Sequence, residues 1–297
     1  MSIIEGAVPR GAGVERGNGA TYYADANNGS DNNGGGSWTS AKATLSAALA
    51  LMGENDTLYI SGRFREELLI PSSLAGGISI IGADDRLPSH SDSNWSGGAT
   101  IMPPASPTAT TPLLKIRAQG VTLKNILFDA PVDAAAVYLE RNADETPATD
   151  EYDASHANIV NCRFVSGQTG IENAGGCGHV LVEDCRFYDL TDAILCSSTG
   201  VAVPLRWIVR DCTFIKNTNH IRSSMNDSVI RDSVFARHTT KSIDVAYNSG
   251  QGEYNTITRN ALGGTYSIAG GYVTGANDEW GGNFNSLSGG VTAADPA

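Results

Sequence analysis

NIVNCRF (158–164), VLVEDCRF (180–187), WIVRDCTF (207–214) and SVIRDSVF (228–235) are four versions of one phrase, and they decide how this chain folds. An earlier copy, VTLKNILF, occupies 121–128, and a weaker one, NTITRNAL, occupies 255–262. The first five copies end in Phe128, Phe164, Phe187, Phe214 and Phe235, at intervals of 36, 23, 27 and 21 residues. Three positions before each Phe stands Asn125, Asn161, Asp184, Asp211 or Asp232. Shortly after each Phe comes a second apolar centre: Val137, Ile171, Ile194, Ile221 and Ile243.

Self-similarity at this period marks a solenoid, in which each repeat buries its apolar face only against its neighbours. The repeated segments are too short for helical repeats, and no helix separates them. Short strands joined at Asn/Asp turns and stacked about 4.8 Å apart make a parallel β-helix. Equivalent positions then align vertically. One inner row is expected to hold Phe164, Phe187, Phe214 and Phe235, and a second Cys162, Cys185, Cys212 and Ser233. Asn161, Asp184, Asp211, Asp232 and Asn260 are expected in a turn row, since Asn and Asp tolerate left-handed backbone. The five cysteines follow no CxxC or zinc spacing, so they read as reduced, buried fillers.

Working outward, Leu45, Ala48, Leu49 and Met52 fall on one helical face. Ser40 is the expected cap, giving a capping helix near 41–52. Alternating strands are expected at 57–61, 67–70, 78–82 and 113–117. The Gly-rich segment 1–20 reads as an attachment arm, 21–275 as the β-helix and 276–297 as a C-terminal tail. The 297 residues include 34 glycines, many of them punctuation between coils. With 20 basic and 32 acidic side chains the net charge is −12, which disfavours nucleic acid as a partner. No segment is long and apolar enough for membrane insertion. The amino-terminal stretch lacks the basic start and apolar core of a signal peptide, so synthesis in the cytosol is expected.

Two outward columns are candidate glycan or partner faces. The first holds Glu172, Leu195, Arg222 and Asp244, with Gly170, Ala193, His220 and Ser242 beside it, and Leu195 and Ala193 interrupt its polar run. The second holds Glu183, Arg210, Arg231 and Arg259, about 5 Å apart, where like charges repel unless anions or neighbouring acids such as Glu183 intervene; it is either a surface ladder of long side chains or a groove for an anionic glycan or partner. The loop from Asp25 to Asn33 has calcium-loop composition, but Gly36 stands where a bidentate Glu is needed, so it reads as a hydrogen-bonded turn. Cys177 and His179 have no further ligands at metal-binding spacing. No cofactor and no metal are expected.

The entry segment YYADANNGSDNNGGGSWTSAKATLSAAL (22–49), with the following DTLYISGRFREELLI and ISIIG, resembles the cap and first coils of right-handed parallel β-helix proteins of the pectate-lyase-like superfamily. The resemblance spans roughly residues 20–275 and is nearest to bacteriophage virion β-helix proteins. It implies an all-β single solenoid whose helix plugs the N-terminal end. The superfold carries lyases, hydrolases, esterases and inert virion proteins alike. The paired Asp segments of its pectinesterases and the Gly-His-Gly segments of its polygalacturonases are missing here. Only ARHTTKS (236–242) approximates the Arg-His segment of its alginate and chondroitin lyases. The expectation is therefore a non-enzymatic virion subunit (head decoration, fibre or tail appendage) at the virion surface. It would contact other virion proteins through its terminal arms, and cell-surface polysaccharide through its faces, as a monomer or trimer. The alternative is a polysaccharide-degrading enzyme, a uronate lyase or endo-glycosidase of the phage depolymerase type.

Overall fold

The computed structural model describes residues 19–74, 76–83, 98–107, 110–141, 153–197, 203–245, 253–263, 272–273, 277–285 and 291–292. The expected arm at 1–20 lies almost wholly outside them, as does much of 276–297. Among the described residues the strands form three sheets of ten, eight and ten members, wound as a right-handed parallel β-helix. Sheet 1 starts with Thr21–Asp25 and Thr57–Ser61 and runs through Leu181–Glu183, Ile208–Arg210 and Val229–Arg231 to Glu279–Gly281. Sheet 2 includes Arg163–Val165, Arg186–Tyr188, Thr213–Ile215 and Val234–Ala236. Sheet 3 includes Leu114–Ile116, Ala135–Glu140, Thr169–Ala174, Asp192–Ser197, Asn219–Ser223 and Lys241–Asp244. Each repeated phrase is thus two strands, one in sheet 1 and one in sheet 2, broken at its Asn or Asp.

That break is a corner. Asn125, Asn161, Asp184, Asp211 and Asp232 all have φ between 47° and 58°. Asn and Asp enter this left-handed region more readily than other side chains, and Gly62 (φ 91°) does the same work in the first coil. Two further corners carry the same signature, at Ser166, Asp189, Lys216 and Arg237 and at His156, His179, Arg206, Asp227 and Tyr254. In the last full coil the sequence reading is shifted by one residue. Arg259 (φ 56°) takes the corner, and Asn260 joins the cysteine column rather than the turn row.

Inside, Phe128, Phe164, Phe187, Phe214 and Phe235 form one stack, with centroids 4.7–5.1 Å apart and planes within 7°. Strand spacing sets that distance, so backbone pairing and ring packing reinforce one another. Beside it runs Cys162, Cys185, Cys212, Ser233, Asn260 and Asn283. Cys162 N–H donates to Cys185 Sγ, Cys212 N–H to Ser233 Oγ, Ser233 N–H to Asn260 Oδ1, and Asn260 N–H to Asn283 Oδ1. The column therefore supplies acceptors to corner amides that no strand pairing satisfies. All five cysteines are free and buried. Burial pushes the Cys177 and Cys196 thiols up to about 12, so they stay protonated.

The cap is shorter than expected. Its helix spans Leu45–Leu49, and its N-cap is Thr44, whose hydroxyl accepts from Ala47 N–H, not Ser40, which lies in a preceding 3₁₀ turn. Glu66 accepts from the Leu45 and Ser46 amides, and Asp31 from those of Ala43 and Thr44. These carboxylates satisfy the open amides and complement the helix dipole. Leu45, Ala48, Leu49 and Met52 are buried, so this face covers the first coil. At the other end, Glu279–Gly281 and Phe284–Asn285 still pair in sheets 1 and 2, so the solenoid continues beyond residue 275.

Candidate functional site

The outer face of sheet 3 is a column in register: Lys115, Tyr138, Glu172, Leu195, Arg222 and Asp244 occupy successive rungs about 4.8 Å apart. Glu172, Arg222 and Asp244 stand on it as their spacing suggests. His220 does not. Its side chain is 0% exposed, inside the solenoid, with its ring 5.8 Å from Phe214 and 5.9 Å from Phe235. In each coil the strand turns a corner here, so two consecutive residues point inward: Ala136 and Val137, Ala193 and Ile194, His220 and Ile221, Ser242 and Ile243. Gly170 fits the same place because a Cβ there would lie 2.6 Å from the Ala193 carbonyl oxygen. Strict two-residue alternation, the basis of the sequence reading, fails at that corner.

The corner also brings in Asp192, which the sequence reading passed over. It is 1% exposed, one rung beyond Thr169 and one before Asn219. Its Oδ1 accepts from Asn219 Nδ2 at 2.8 Å and its Oδ2 from Arg222 Nη2 at 2.6 Å. A buried carboxylate costs several kcal/mol unless paired in this way. Asp192 thus spans the interruption at Leu195 and ties Arg222 toward Glu172. The half-buried Glu172 carboxyl is pushed above its ordinary value, first by burial and then by the neighbouring Asp192 charge. Toward the amino end, Glu140 receives Lys115 at 3.6 Å and the Arg117 Nε, while Lys115 lies 5.4 Å over the Tyr138 ring. A polar residue two before an apolar strand centre was the only signal for Asp192 and Asn219.

The second face, on sheet 1, is rearranged relative to expectation. Glu183, Arg210 and Arg231 share a column, but Thr258 holds the fourth place and Arg259 sits at the corner. Each of these cations is matched by a carboxylate of the protein. Arg210 pairs with Glu183 at 2.9 Å, and Arg231 with Asp232 at 2.8 Å. Arg259 grips Asp232 through Nε at 2.7 Å and Nη2 at 2.6 Å. Those guanidiniums hold the Asp232 carboxyl below its ordinary value. Beside this column, Leu181, Ile208 and Val229 floor a shallow depression of about 330 Å³, rimmed by His179, Arg206 and Asp227.

The remaining candidates are structural. Asp25 accepts from the Asn27 and Asn28 amides, making the turn that the sequence suggested in place of a calcium loop. Arg237 is a corner residue and His238 is buried, so their segment forms no exposed Arg-His pair. Among the described residues no group of three or more His, Cys, Asp or Glu side chains is placed to hold a metal, and no helix is long and apolar enough to cross a membrane.

No family model and no curated protein matches the sequence. Among solved structures, pectate lyase Pel9A is similar at 13% identity, with 93% of this chain and 78% of that chain covered and a TM-score of 0.59. A rhamnogalacturonan lyase (15% identity, 89% and 62% covered) and the Dettilon tailspike protein (13%, 71% and 47%) give TM-scores of 0.44 and 0.38. At these identities the likeness concerns architecture alone. The chain has a right-handed parallel β-helix fold, the architecture it shares with pectate lyase Pel9A.

Proposed function

We propose that this protein is a non-catalytic, glycan-binding β-helix of a bacteriophage virion, a head-decoration, fibre or tail appendage subunit. The observation that carries the non-catalytic part is the state of its cations. Elimination on a uronate needs a base for the ring proton and a cation for the carboxylate. On the two candidate faces Arg222, Arg210, Arg231, Arg259, Lys115 and Arg117 each lie on a carboxylate of the protein itself. A guanidinium held in this way is a poor base and a poor counter-ion for substrate. What the sheet 3 face offers instead is a straight column of polar, aromatic and aliphatic side chains, suited to lie along a sugar chain.

The virion assignment rests on the sequence resemblance, with the terminal segments docking on other virion proteins, as a trimer for a fibre or tail appendage or as a monomer for a decoration subunit. Mass spectrometry of density-purified virions tests it together with adsorption to insoluble cell-surface polysaccharide. The expected result is a fixed copy number per particle and retention on the polysaccharide. Absence from washed particles would overturn the assignment.

One observation favours a second reading, a polysaccharide-degrading enzyme. Glu172 and Asp192 are two acids in different settings on one face, the first raised by burial and by its neighbour's charge and the second ion-paired with Arg222, and two carboxyls in unlike environments are the pairing used in acid/base hydrolysis. Turnover assays separate the two readings.

A further inference from the structure

The geometry points to a neutral, hydroxyl-rich sugar chain, rather than a polyuronate, as the ligand of the sheet 3 face, seated over Glu172, Asp192 and Asn219. The inference rests on the glycan-binding reading and specifies its ligand.

Hydrogen-bond accounting gives the first argument. A carboxylate only accepts, so the 2.8 Å contact with Asp192 fixes the Asn219 amide with Nδ2 toward Asp192. Its Oδ1 is then an acceptor without a donor, but with less than 1 Å² of surface exposed it lies beneath the face and not on it. Glu172, on the same face, makes no hydrogen bond or ion pair among the described residues, and a carboxyl offers further acceptor sites. Glu172 is therefore the acceptor that this face presents, and donors to it are what sugar hydroxyls, directly or through an ordered water, supply. A uronate carboxylate brings an acceptor where Glu172 calls for a donor.

Charge gives the second argument. At the centre of the column, Glu172 and Asp192 lie close enough for the Asp192 charge to raise the Glu172 carboxyl. Arg222, the cation at that point, is already bound to Asp192. Lys241 stands in the Asp192 row but two rungs along, about 10 Å from it. A polyuronate laid along the column would place repeated negative charges over Glu172 and Asp192, whereas a neutral chain avoids that repulsion. Tyr138, one rung before Glu172, and Leu195, one rung after, offer apolar surface to the C–H faces of sugar rings.

The test is affinity electrophoresis and calorimetry of the full chain against two panels. One panel is neutral (dextran, galactan, glucomannan, arabinoxylan) and the other anionic (polygalacturonate, alginate, hyaluronan). We expect binding to a neutral polymer at least about tenfold tighter than to any anionic one. Glu172→Ala, with an unchanged thermal melt, should weaken it about tenfold through loss of a hydrogen bond from a sugar hydroxyl. Glu172→Lys should move the preference toward polyuronates. Tighter binding of a polyuronate by the native chain would overturn the inference and leave the glycan-binding reading standing. Failure to bind any member of either panel would overturn both.

Discussion

Arg222 Nη2 lies 2.6 Å from Oδ2 of Asp192, a carboxylate only 1% exposed, and this contact joins the two halves of the sheet 3 face. The guanidinium itself is about a quarter exposed. Arg222→Ala would leave Asp192 charged and buried with only Asn219 to serve it. We expect a loss on the order of 3 kcal/mol, near the low end for breaking a buried pair because water reaches Arg222. Arg222→Ala combined with Asp192→Asn should recover much of it. Urea denaturation measures both, and a single-variant loss below about 1 kcal/mol would contradict the pairing.

His220 makes the fold acid-sensitive. Burial, and then the His238 charge, pull its imidazole from 6.5 down to about 3. Between those values the unfolded chain binds more protons, so stability falls as pH falls, by about 1.4 kcal/mol per pH unit for one proton. His238, lowered by burial and 5.6 Å away, acts in the same direction. His220→Leu should flatten the slope of unfolding free energy against pH in that window. An unchanged slope would place the acid sensitivity elsewhere.

Glu172 works with the opposite sign. Its folded carboxyl is raised, so its contribution is present below the ordinary carboxylate range and is lost as pH rises through the raised value. Glu172→Gln should therefore melt above the native chain near pH 8 and together with it near pH 4. A variant that melts below the native chain at the higher pH would show that the carboxylate is stabilised by a partner.

The ring stack runs through five successive coils of the core. Phe187 lies between Phe164 at 4.8 Å and Phe214 at 4.7 Å, and almost none of it is exposed. Phe187→Ala should cost about 3–5 kcal/mol through lost burial and an internal void. Equilibrium denaturation checks it, and a loss under about 1 kcal/mol would mean that neighbouring coils collapse into the gap.

Corner chemistry can be tested apart from packing. Asp211 has φ 54° and an exposed side chain. Asp211→Gly should be neutral within about 0.5 kcal/mol, while Asp211→Val should cost about 1–2 kcal/mol for forcing a β-branched residue into left-handed backbone. Equal effects of the two substitutions would contradict the corner assignment.

The solenoid was legible because each coil repeats the same three physical demands: an aromatic inside, a small polar or sulfur-bearing residue beside it, and Asn or Asp at the corner. Phe187, Cys185 and Asp184 announce one coil, and the copies around them confirm the period. The last coil misled by one residue because Arg259 has no intrinsic preference for a left-handed corner, whereas its neighbour Asn260 does. The site was only half legible. Glu172, Arg222 and Asp244 follow from alternation along sheet 3, but His220 and Asp192 exchange faces where the strand bends. Alternation holds only while a strand stays straight. Glu183 is legible as a neighbouring acid for Arg210, but residue spacing does not reveal that Asp232, a corner residue, pairs with both Arg231 and Arg259.

The most direct test of the central claim, glycan binding without cleavage, is prolonged incubation of the full chain with the neutral and anionic polysaccharide panels. Reducing ends and the ultraviolet absorbance of unsaturated uronates are followed while binding is measured in parallel. Retention of a glycan with both signals flat is the expected result. Sustained release of reducing ends or unsaturated product, abolished by Glu172→Gln or Arg222→Ala in a folded variant, would contradict it and establish the enzyme in its place.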